Sequence, residues 1–132
     1  MALTKDRNTK YRRGEDVSDP VAANAKIFTG ALVVLGATGF AQPGSAATGL
    51  KARGIAQEYV DNTGGADGDV FVALRKGVFN FKNDSTVVAA DVEADAYIVD
   101  DETVANSDGG GTRSIAGKII DVDTDGVWVQ IK

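Results

Sequence analysis

Four stretches of the chain carry side chains whose types and spacing could do chemistry. Asp121-Val122-Asp123-Thr124-Asp125-Gly126 matches the opening of a calcium-binding loop, in which alternate carboxylates present oxygens to a cation around a tight glycine turn. The twelfth position of such a loop needs a bidentate glutamate and is Lys132 here. Asp123 to Gly126 is also what a hairpin turn between two strands requires. Val33-Val34-Leu35-Gly36-Ala37-Thr38-Gly39-Phe40 resembles the strand and glycine turn of a dinucleotide site, but Gln42 stands where the third glycine belongs. Pro43-Gly44-Ser45 then stops the helix that would meet a pyrophosphate, so the stretch reads as a β-turn. Asp100-Asp101-Glu102 is a carboxylate run without a partner base and reads as a solvated loop. Lys51, Arg53, Arg75 and Lys76 are scattered cations without the interleaved aromatics of a nucleic-acid face.

Composition narrows the chemistry further. The 132 residues contain no cysteine and no histidine, which removes thiolate chemistry, cysteine-held zinc and the commonest general base. No cofactor, metal or catalytic residue is expected, and a non-enzymatic role is. The net charge of −5 is unevenly placed. Residues 1–13 hold Lys5, Arg7, Lys10, Arg12 and Arg13 against Asp6 alone, while the rest of the chain holds nine cations and eighteen anions. A basic segment on an acidic body suits docking on an acidic surface. No apolar stretch reaches the roughly 20 residues of a membrane helix; the longest, Phe28 to Ala41, is broken by Gly30, Gly36 and Gly39.

The elements that position these residues read as β. Residues 1–20 show no periodicity and few apolar side chains, and are expected to form an extended N-terminal arm, with Tyr11, Arg12 and Arg13 as the residue types that anchor interfaces. Residues 21–132 are expected to form one compact domain. Sixteen glycines against two prolines imply many turns. Alanine 31 to Leu35 is a fully apolar strand, and Val70–Leu74 with Val78–Phe81 look like a hairpin about Arg75-Lys76-Gly77. Asp84 to Ala94 is the helix candidate, capped by Asp84 or Ser85. Ser114–Val122 and Val127–Ile131 close the chain as a second hairpin. About eight or nine short strands and one short helix make an all-β fold, a small barrel or sandwich. Leu32, Val34, Val127, Trp128 and Val129 are expected in the core or in an oligomer interface.

Residues 26–35 (KIFTGALVVL), 49–69 (GLKARGIAQEYVDNTGGADGD), 75–81 (RKGVFNF) and 116–131 (AGKIIDVDTDGVWVQI) together resemble the small capsid decoration, or cement, proteins of tailed phages, of the type encoded beside the major capsid protein in Mu-like phages. The resemblance implies a β-rich knob, commonly a trimer, bound to the outer surface of the virion head after assembly in the bacterial cytoplasm. Its partner would be the major capsid protein, with no direct contact to nucleic acid or membrane. Arg7, Tyr11, Arg12 and Arg13 of the arm would then touch the capsid. The other reading is a tail or baseplate β module that recognises a glycan or calcium.

Overall fold

The computed structural model describes residue 2, residues 4–7 and residues 14–132. Along the chain run β1 (Asp16–Pro20), β2 (Lys26–Ile27), β3 (Leu32–Leu35), β4 (Ala41–Pro43), β5 (Lys51–Ala56), β6 (Val60–Asp61), β7 (Phe71–Arg75), β8 (Gly77–Asn83), β9 (Asp95–Ile98), β10 (Thr103–Ala105), β11 (Ile115–Asp123) and β12 (Gly126–Ile131). The strands β1-β7-β5-β3-β4 form one antiparallel sheet. A bridge from Val21 to Ala41 draws its two outer strands together. The strands β10-β8-β12-β11-β9 close into a barrel, and β2 pairs with β6 as a small ribbon. The fold is therefore all-β, a five-stranded sheet packed with a small closed barrel.

Strand β3 explains how the two halves become one body. Side chains alternate across a strand, so a continuous apolar run fits only where both faces are buried. Val33 packs with Val21, Ile27, Val72 and Leu74 inside the five-stranded sheet. Leu32 and Val34 point the other way and pack with Phe81, Ile98, Ile119, Val127 and Val129 of the barrel. All three are fully buried. Leu32, Val34, Val127 and Val129 are thus core residues, while Trp128 is half-buried on the outer side of β12.

Three elements differ from the sequence reading. β7 and β8 do not pair as a hairpin. Arg75 lies opposite Asp16 and Ile55 in the sheet, whereas Gly77 lies opposite Ile131 in the barrel. Only Lys76 separates the two strands, too few residues for a two-residue hairpin turn, and its N–H donates to the Glu15 carbonyl. The chain crosses from one sheet to the other here. Secondly, Asp84 to Ala94 is not an α-helix but contains a single 3-10 turn, Ala89–Asp91. The Asn83 side chain accepts the N–H groups of Ser85 and Val87, and Asp84 accepts that of Thr86, so these backbone donors never enter a helical ladder. Ser85 at φ +85° and the extended Val88 complete the break. Thirdly, residues 16–20, read from sequence as the end of the arm, form β1 and pair along their whole length with β7.

The Asp123 turn joins β11 to β12 as expected, with Thr124 and Asp125 at its tip. Its glycine is required. Gly126 has φ +135°, and a Cβ there would lie 2.3 Å from the Phe81 carbonyl oxygen on β8.

Candidate functional surface

Several aspartates, among them Asp84, Asp100 and Asp123 from the stretches above, are occupied with their own backbone. Asp61 accepts the N–H of Thr63 at 2.9 Å, Asp84 that of Thr86 at 3.0 Å, and Asp100 that of Glu102 at 2.9 Å. Asp108 accepts from Gly110 at 3.2 Å and Asp123 from Asp125 at 2.8 Å. Each is an Asx turn, in which a short side chain replaces a backbone acceptor two residues upstream and fixes a loop. Asp123 is engaged twice, since its second oxygen accepts the Trp128 indole N–H at 2.9 Å. The calcium-like stretch is therefore a hairpin turn latched by Trp128. Among the described residues no group of three or more carboxylates is placed to hold a metal ion. The Gly36–Gly39 turn closes between β3 and β4 through an N–H of Gly39 to the Gly36 carbonyl, with a strand and not a helix after it.

Two places stand out among the described residues for side-chain chemistry beyond turn formation. The first is an ion pair whose carboxylate is buried and whose guanidinium is half-buried. Asp19 on β1 is 8% exposed, and Arg53 on β5 donates to both of its oxygens, from Nε at 2.6 Å and Nη2 at 3.2 Å. This hydrogen-bonded pairing holds the guanidinium above its ordinary pKa.

The second is a cleft between the end of the β2–β6 ribbon and the loop before β10. Phe28, Thr29, Gly30, Ala31, Asp101 and Glu102 line it. Phe28 and Tyr59 are 58% and 52% exposed, and their rings lie 5.4 Å apart at 38°. The backbone of Asp101 accepts the N–H of Leu32 at 2.8 Å and so ties this loop to the start of β3. Glu102 forms an ion pair with Lys82. The half-buried Asp101 carboxyl is raised above its ordinary value, first by burial and then by the like charges of Asp100 and Glu102. Sequence reading missed the aromatic pair. The signal that could have found it is alternation: Ile27 is fully buried, so its neighbours Lys26 and Phe28 must face outward.

The raised Asp101 has a measurable consequence. A carboxyl whose folded pKa exceeds its unfolded one contributes stability that is fully present below the unfolded value, ordinarily 3.8, and is lost as pH rises through the folded value. Asp101→Asn is therefore expected to be more stable than the parent chain at neutral pH, with the difference closing as pH falls through the raised folded value and gone once pH is below 3.8. Thermal denaturation of both proteins across that range checks it. Asp61 works in the opposite sense, because the Thr63 hydroxyl and amide lower its pKa.

Of the arm residues expected to touch a partner, Arg7 is exposed, as is Lys5, and Tyr11, Arg12 and Arg13 lie outside the described residues. Among the described residues no helix is long and apolar enough to cross a membrane. Comparison of the chain with protein-family models, with curated proteins and with solved structures finds no match to any of them.

Proposed function

We propose that this chain is a non-catalytic structural protein of a phage virion, which decorates the outer surface of the capsid as a homotrimer and stabilises it by bridging major capsid subunits. The observation that carries this reading is the division of labour among its charges. Several of the body's carboxylates are engaged in Asx turns and ion pairs of its own. The surplus of cations belongs to the segment ahead of β1. A folded acidic body with a basic lead segment suits a clamp: the body gives bulk and solubility, and the segment reaches an acidic neighbour. Protein that binds only the assembled shell stabilises that shell by mass action, and three such segments on one trimer add avidity.

The test is a deletion of residues 2–13. It must stop there, because removing residues 16–20 would take away β1 and half of the Asp19–Arg53 pair. The shortened protein is expected to keep its thermal stability and to lose about 100-fold or more in apparent affinity for undecorated capsids in a co-sedimentation assay. Full affinity after the deletion would overturn the clamp.

A further inference from the structure

The Phe28–Tyr59 pair is an apolar surface that stands exposed among the described residues. We propose that it and the adjoining Asp101 cleft dock the basic lead segment, residues 5–13, of a second copy of this chain. Charge and chemistry name the occupant. The cleft carries Asp101 and Glu102, with Asp100 beside them in the same loop. Among the described residues the cation paired with this loop is Lys82, and it is held by Glu102. Asp101 is half-buried beside the like charges of Asp100 and Glu102, and among the described residues no cation pairs with it. A guanidinium or ammonium group answers both halves of the surface, since it pairs with a carboxylate and its face or stem lies over an aromatic ring.

A second acidic body approaching with its own face would meet net repulsion. The segment with five cations against one anion would not. Lys5 and Arg7 stand exposed in the single chain. The cleft is accordingly filled from a neighbour, and the exchange of segments links copies to one another. This inference does not rest on the capsid reading: carbodiimide links report contact between copies, whereas co-sedimentation reports contact with the shell.

The experiment uses the full chain. Unlabelled and 15N-labelled protein are unfolded together, refolded, and treated with a water-soluble carbodiimide, which joins a lysine amine to a carboxylate only where the two touch. Cross-linked peptides are then read by mass spectrometry. The expected result is a set of links from Lys5 or Lys10 to Asp100, Asp101 or Glu102 that join labelled to unlabelled chains. Their yield should fall about fivefold or more in Phe28→Ala, with the same loss at 1 M salt, where the screening length is about 3 Å. Phe28 is exposed, so this variant should keep its fold, and the fluorescence of Trp128 on β12 of the barrel checks that it does. Links confined to single chains, links directed mainly to other carboxylates, or a yield unchanged in Phe28→Ala would overturn the proposal.

Discussion

Replacing Arg53 by methionine is expected to lower the free energy of unfolding by about 3 kcal/mol, the lower end of the cost of breaking a buried ion pair. Asp19 is buried on β1, beside Val17 of the same strand and opposite Val72 of β7. Both of its oxygens receive hydrogen bonds from one guanidinium. Methionine keeps most of the stem volume but leaves the carboxylate with neither charge nor donor. The Arg53 side chain is 28% exposed, which lets some water reach the site and places the cost at the low end. The double variant Asp19→Leu with Arg53→Met should recover most of the loss, because apolar groups of similar size can replace a buried pair nearly without cost. Urea denaturation of the three proteins measures this. A single variant within about 0.5 kcal/mol of the parent would show that the pair behaves as a surface contact. The pair has a second role in the reading above. It joins β1 to β5 across β7, so it anchors the root of the lead segment to the middle of the sheet.

What could be read in the sequence was local. The apolar run of β3, the turn at Gly36–Gly39 and the Asp123–Gly126 hairpin follow from alternation and turn chemistry within a few residues. The errors arose where a distant partner decides. Val70–Leu74 and Val78–Phe81 have the pattern of a hairpin, yet each strand finds a better neighbour elsewhere, β1 and β5 for the first and β12 for the second. Residues 16–20 show a single apolar side chain facing the core, Val17, and become a strand because β7 offers an edge and Arg53 offers Asp19 a counter-charge. The Asp84 segment has helix-compatible alanines, but Asn83 and Asp84 capture its first backbone donors. The candidate surface was less legible still. Phe28 and Asp101 are far apart in the chain and share a cleft only because the loop before β10 hydrogen-bonds to the start of β3.

Leu32→Ala is expected to cost about 3 kcal/mol and to lower the melting temperature by roughly 10 °C, without altering the oligomeric state. The position distinguishes core from interface, since both roles suit an apolar residue in sequence. Leu32 is fully buried within one chain, where it packs with Val34, Ile98 and Val129 at the junction of the sheet and the barrel. Its backbone is fixed as well, with its N–H on the Asp101 carbonyl and its own carbonyl accepting from Gly44. A strand held at both ends cannot move inward to fill the space left by a deleted side chain, so the cavity persists and adds to the lost transfer energy. Barrel and sheet both border this site. They should therefore melt in one transition at the lower temperature, followed by Trp128 fluorescence for the barrel and by far-ultraviolet dichroism for the whole. If the variant instead dissociated into folded subunits of unchanged melting temperature, Leu32 would belong to a subunit contact. The division of β3 into one face for each core would then have to be abandoned.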